Sequence, residues 1–166
     1  MFEFLKNKKN RNQNINFKLL APISGKSIPL SEVPDPVFAQ KMAGDGLAIN
    51  PISDTIVAPA DGELTLILST RHAFAMTLEN GIELLVHIGL DTVSLNGEGF
   101  EKLIEQGTKV KAGTPIIKIN PDFIKEKGFS LISLVLITNP EILTSVKAVE
   151  NVDAIVGETT ILEYTI

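Results

Sequence analysis

The chain holds two histidines and no cysteine, so chemistry that needs a titrating ring near neutral pH falls to His72 and His87. A neutral imidazole offers one acceptor nitrogen, able to serve as nucleophile, base or metal ligand. Both rings lie in one expected β-hairpin, whose arms are Thr70-Arg71-His72-Ala73-Phe74 and Glu83-Leu84-Leu85-Val86-His87-Ile88-Gly89. Between them stands Glu79-Asn80-Gly81-Ile82, and Asn-Gly flanked by apolar residues predicts a two-residue type I′ turn. That register sets Phe74 opposite His87 and His72 opposite Gly89. Because side chains alternate along a strand, Thr70, His72, Phe74 and Met76 then share a face with Leu85, His87, Gly89 and Asp91. Diagonal neighbours sit about 7–8 Å apart, so the two rings can meet. A loop with an odd residue count would separate them.

Zinc, serine and phosphoryl chemistry each make different demands of this pair. A closed zinc site wants four ligands, whereas His72, His87 and Asp91 supply three at best and no thiolate exists. A three-ligand catalytic zinc stays open but lacks a visible base. A serine triad has no support, because no G-x-S-x-G elbow occurs. The remaining chemistry is covalent: one histidine carries a phosphoryl group while its neighbour and Thr70 hydrogen-bond the phosphate oxygens. Such transfer depends on alignment and charge stabilisation, and an apolar collar delays hydrolysis.

The elements that must position the pair read as many short strands. At 166 residues, 44% of them hydrophobic and 21% charged, the chain has the composition of a single compact domain. Pro, Gly and Asp recur at short intervals between β-branched runs. Strands are predicted at Lys18 to Ala21, Leu47 to Asn50, Thr55 to Ala58, Leu64 to Leu68, Pro115 to Ile119, Leu131 to Ile137 and Thr160 to Tyr164. Two short helices are predicted, Pro36 to Ala43 with Asp35 as N-cap and Gly44 as stop, and Phe100 to Gln106 closed by Gly107. Ala21-Pro22-Ile23-Ser24-Gly25 echoes Ala58-Pro59-Ala60-Asp61-Gly62, and Val110-Lys111-Ala112-Gly113-Thr114 loosely echoes Ile155-Val156-Gly157-Glu158-Thr159. The paired echoes favour an all-β, closed or sandwiched antiparallel architecture with internal duplication.

Charge sorts the partners. The net charge of −5 leaves no basic surplus for general nucleic-acid binding. Residues 1–14 are the exception: Lys6, Lys8, Lys9 and Arg11 face a single acid, Glu3. They read as a flexible basic tail ahead of one domain spanning 15–166, with weak contact of Phe2, Phe4 and Leu5 to anionic lipid as the sharper alternative. The apolar run Ile82 to Ile88 is too short to span a bilayer and no signal pattern opens the chain. A cytoplasmic monomer is expected.

The run Gly81-Ile82-Glu83-Leu84-Leu85-Val86-His87-Ile88-Gly89-Leu90-Asp91-Thr92-Val93 closely resembles the active-site signature of the glucose-type IIA component of the bacterial phosphoenolpyruvate-dependent sugar phosphotransferase system. The resemblance extends from about Ile15 to the C-terminus. It takes in Val33-Pro34-Asp35, Gly44-Asp45-Gly46-Leu47-Ala48-Ile49, Thr70 with His72-Ala73-Phe74, Asn96-Gly97-Glu98-Gly99-Phe100 and Val156-Gly157-Glu158-Thr159. It implies that His87 is phosphorylated through Nε2, with its Nδ1 hydrogen held by a backbone carbonyl near Gly89. It implies also that His72 and Thr70 stabilise the phosphoryl group, on an antiparallel β-sandwich or barrel built from a duplicated hybrid motif. No cofactor is required. The implied donor is the histidine-containing phosphocarrier protein, and the implied acceptor a cysteine of a sugar-specific IIB domain. No IIB or IIC segment is fused, which suggests a free-standing carrier.

Asp35 and Asp91 should repel a phosphate, so they are expected at the rim, facing cations of a partner. Val37, Phe38, Met42 and Phe74 are candidates for apolar partner contact, with core packing as the role of at least one. Two rivals remain. A zinc peptidase on a related fold would use an H-x-H pair, which this chain lacks. A biotin or lipoate carrier is suggested by Gly107-Thr108-Lys109-Val110-Lys111-Ala112-Gly113, but Lys41-Met42 falls in a predicted helix rather than on a hairpin.

Overall fold

A computed structural model describes residues 15–166; the expected basic tail lies outside them. The described residues form fourteen strands: β1 Phe17–Leu20, β2 Gly25–Ile28, β3 Asp45–Pro51, β4 Thr55–Val57, β5 Gly62–Ile67, β6 Ala73–Thr77, β7 Glu83–His87, β8 Phe100–Lys102, β9 Lys109–Val110, β10 Pro115–Ile119, β11 Ser133–Ile137, β12 Ser145–Ala148, β13 Asp153–Ala154 and β14 Thr160–Thr165. Two short helices join them, α1 Pro36–Ala39 and α2 Pro121–Glu126. The pairings are antiparallel, in sheets ordered β13-β2-β3-β11-β7-β6-β5-β9, β1-β14-β12 and β4-β10-β8. The all-β expectation holds.

The period-2 pattern of the central strands splits the molecule into two apolar layers. Leu47 and Ile49 of β3, Val135 and Ile137 of β11, Leu84 and Val86 of β7, and Phe74 and Met76 of β6 point into the main core. The alternate positions Ala48, Leu134 and Leu136, with the half-buried Leu85, point the other way. A strap carrying Leu30, Val33 and Phe38 covers them. β11 sits between β3 and β7 and is buried along its whole length, which is why it is apolar at every position but Ser133.

The duplication is real and the two copies grip each other. Leu20 N–H donates to the Pro59 carbonyl and Val57 N–H to the Pro22 carbonyl, both at 2.8 Å. Ala21 N–H bonds Thr159 as Ala58 N–H bonds Thr114, each at 2.9 Å, and Gly157 and Gly113 donate back to Ala21 and Ala58. The sequence echoes align accordingly, Gly113 answering to Gly157 with one residue inserted after it.

Two local expectations are corrected, and a further helix lies where none is predicted. The segment expected as helix from Phe100 to Gln106 begins as strand β8, paired with Ile117–Ile119; its apolar spacing fits a short strand as well as a turn of helix. The helix at Pro36 starts as expected, with the Asp35 carboxylate accepting from Val37 N–H at 3.0 Å, but it ends at Ala39. Lys41 takes the left-handed position (φ 57°), while Lys41 N–H bonds Phe38 and Met42 N–H bonds Val37, closing a Schellman motif ahead of Gly44. Helix α2 went unread, although Asn120-Pro121-Asp122 is a capping signal and Asn120 does accept from Phe123 N–H.

Candidate functional site

The hairpin β6–β7 carries the site, with a register one residue off the expected one. Leu78 and Ile82 close a three-residue loop: Gly81 N–H donates to Leu78 at 3.1 Å, and Gly81 alone takes positive φ, 89°. This is a turn followed by a left-handed glycine, the commonest alternative to the type I′ loop. The Asn80 side chain explains the choice, since it accepts from Ile82 N–H and donates to the Tyr164 hydroxyl at 2.9 Å, tying the loop to β14. Ala73, not Phe74, therefore stands opposite His87.

The shift moves Phe74 and Met76 to the face opposite His87, into the main core, where each is 1% exposed. Phe74 is thus no surface contact. His87 projects from the other face, between Ala73 of β6 and Leu134 of β11, with the Phe38 ring against it at 5.0 Å between centroids.

By strict alternation the odd loop should also have parted the histidines. It does not, because His72 lies just outside β6. Arg71 adopts a left-handed φ of 56° and closes a turn onto Leu68 at 2.8 Å. That turn frees His72 from the pleat, and its ring meets His87 edge-on at 5.1 Å and 86°. The backbones are tied as well, Ile88 N–H donating to the His72 carbonyl at 2.7 Å.

The two Nδ1 atoms are placed differently. Nδ1 of His72 lies 2.7 Å from the Thr70 hydroxyl. Nδ1 of His87 is buried with no partner inside hydrogen-bond geometry, although the Gly89 backbone stands near enough to favour its protonated form. The implied Nδ1–carbonyl bond is therefore approached rather than closed. Burial holds His87 below the ordinary histidine range, and His72 adds to this, against the opposing pull of Gly89, Asp35 and Asp91. Burial lowers His72 too. Both rings are thus set neutral near pH 7.

Asp35 and Asp91 stand close enough to act on His87, the first half-buried and capping α1, the second exposed with φ 59°. Val37 and Met42, 46% and 70% exposed, border the strap that carries Phe38. Gly89 is buried with φ 75°, and a Cβ there would run into the Thr92 methyl and the Ser130 carbonyl. Leu134, Arg71 and Thr92 were missed as site residues. Leu134 reaches His87 only through the β7–β11 pairing, Arg71 acts through its backbone, and Thr92 stood unremarked inside the signature.

Among the described residues no group of three His, Cys, Asp or Glu side chains is placed to hold a metal ion, so His72, His87 and Asp91 do not assemble as a ligand set. Lys41 sits in the turn after α1 and pairs with Asp45 at 3.3 Å, unlike the hairpin-tip lysine of a biotin or lipoate carrier. A cleft of about 720 Å³ opens at the far end of the hairpin, lined by Phe17, Tyr164, Leu78 and Asn80, and neither histidine lines it. No described helix is long and apolar enough to cross a membrane.

Residues 17–143 match the family described as phosphoenolpyruvate-dependent sugar phosphotransferase system, EIIA 1. A protein of Staphylococcus epidermidis named PTS system glucose-specific EIIA component is 44% identical over 152 residues, 91% of each chain. A Staphylococcus aureus protein of the same name is 42% identical over 147 residues, 89% of each. The solved structure titled glucose permease IIA from Mycoplasma capricolum superposes with a TM-score of 0.80 at 39% identity, covering 90% of this chain and 96% of that one. The fold, the edge-on histidines and these matches agree: the chain belongs to the EIIA 1 family of the phosphoenolpyruvate-dependent sugar phosphotransferase system.

Proposed function

We propose that the protein is a phosphocarrier that accepts a phosphoryl group on Nε2 of His87 from the histidine-containing phosphocarrier protein and passes it to a cysteine of a sugar-specific IIB domain. The observation that carries this reading is the edge-on pair at 5.1 Å whose Nδ1 atoms are both occupied or buried. The two Nε2 atoms are left to act together.

Neutral His87, with its proton on Nδ1, presents an Nε2 lone pair without prior proton removal. The new N–P bond forms as the donor's N–P bond breaks, and the bonding pair leaves with the donor imidazole. The product gathers positive charge at Nδ1–H, which the Gly89 carbonyl offsets. If the Thr70 hydroxyl donates to Nδ1 of His72, that ring must carry its proton on Nε2, directed at the phosphoryl oxygens. Thr70 then works through His72 rather than by a bond of its own to phosphate. Phe38 and Leu134 keep water from the ring. In the second step the IIB thiolate forms a P–S bond while the His87 N–P bond breaks.

Asp35, Asp91, Val37 and Met42 form the partner-facing rim, its carboxylates opposite cations of donor and acceptor. The names of the relatives make glucose the first sugar to assay. Incubation with phosphoenolpyruvate, the two general phosphotransferase proteins and a glucose-type IIB domain should load one phosphate, located at His87 by mass spectrometry. His87→Ala should accept none, while His72→Gln should accept the group yet pass it on slowly. Phosphate on any other residue, or none on the wild type, overturns the reading.

A further inference from the structure

Thr92 is the most deeply buried polar side chain beside the histidines, with no exposed surface. Its hydroxyl donates back to the Ile88 carbonyl at 2.5 Å. Its methyl occupies the space a Cβ would need on Gly89. Gly89 in turn holds a left-handed φ of 75°. The peptide on the other side of Gly89 is also fixed, Leu90 N–H donating to the Ser130 carbonyl at 3.0 Å. The Ile88 residue clamped by Thr92 is the one whose N–H reaches the His72 carbonyl. One hydroxyl therefore secures the chain behind both rings.

We infer that Thr92 is a positioning residue for phosphoryl transfer: by pinning the 88–89 peptide through its hydroxyl, it keeps the Gly89 carbonyl beside Nδ1 of His87 and so reserves Nε2 as the nucleophile. A fully buried hydroxyl needs a partner, and Thr92, which opens the 3-10 turn Thr92–Leu95, finds it in the loop behind His87. The hydroxyl is spent on the loop that orients the imidazole, and a misplaced nucleophile is costly because transfer depends on alignment. Thr92→Val removes the hydroxyl and keeps the methyl; Thr92→Ser does the reverse.

The kinetic half of this inference rests on the proposed function, so the test reads two signals from the full chain. Nitrogen NMR of the unphosphorylated protein reports the His87 tautomer without any partner. Phosphoryl acceptance from the donor protein reports the rate. Thr92→Val should shift His87 from the Nδ1–H tautomer toward a mixture and slow acceptance about tenfold or more, while Thr92→Ser keeps both close to wild type. An unchanged tautomer in Thr92→Val, or a Thr92→Ser protein as impaired as Thr92→Val, overturns the inference. Should Thr92→Val not fold, Thr92→Ser decides alone, loss of its tautomer being the refuting result. Wild-type phosphate found away from His87 would sink the proposed function while leaving the tautomer result standing.

Discussion

Replacing Gly89 with alanine asks how much the loop behind His87 depends on having no side chain there. The left-handed φ of 75° costs an L-residue roughly 1–2 kcal/mol. The new Cβ would also meet the Thr92 methyl and, at 2.9 Å, the Ser130 carbonyl, and Ser130 cannot readily retreat because Leu90 N–H holds it. Overpacking of this kind adds about 1–3 kcal/mol, for a total of about 2–5 kcal/mol. Gly81 supplies the control. Its φ is 89°, yet a Cβ there meets nothing within 4 Å, so Gly81→Ala should cost only the backbone part, about 1–2 kcal/mol. Urea midpoints of the two variants, at equal m, isolate the packing contribution. A Gly89→Ala protein no less stable than Gly81→Ala would refute the argument that this crease is filled by Thr92 and Ser130.

Two further outcomes follow from the electrostatics. Burial lowers both histidines from 6.5, so the unfolded chain binds their protons more tightly than the folded one. The stability this confers is complete above about pH 6.5 and is lost as pH falls through the lowered folded values; urea midpoints at pH 7.5 and 5.5 should show the decline, and a His72→Gln/His87→Gln protein should show less of it. Asp35 both caps α1 and favours protonated His87, and the roles can be parted. Asp35→Asn keeps an acceptor for Val37 N–H, so stability should hold while the His87 titration followed by NMR moves further down. Asp35→Ala should lose about 1 kcal/mol as well, and a Asp35→Asn titration identical to wild type would contradict the assigned charge effect.

Much of this molecule could be read along the chain. Asn80-Gly81 marked the hairpin, Asp35-Pro36 marked the start of α1, and the β-branched runs between Pro, Gly and Asp marked strands such as β7 and β11. Such features are local: a cap, a turn or a pleat is set by a few neighbouring residues. The repeated Ala-Pro segments and the looser echo around Gly113 and Gly157 announced a duplication, though not that the copies exchange backbone hydrogen bonds. Phe100 to Gln106 was misread because a short apolar spacing fits helix and strand alike, and only pairing with β10 decides between them.

The sequence by itself singled out the residues proposed to carry the chemistry, since two imidazoles and no thiol leave no other side chain whose ordinary titration falls near neutral pH. It could not determine how they meet. An even loop would have joined them by parity; the loop is odd, because Asn80 is drawn to Tyr164 from β14, 84 residues away. The rings still meet because Arg71 turns the chain left-handedly just before β6. Phe38 and Leu134 close the site from a strap and a strand far off in sequence. Side-chain type is a local property, whereas register, facing and burial are settled by partners that only the folded chain brings near.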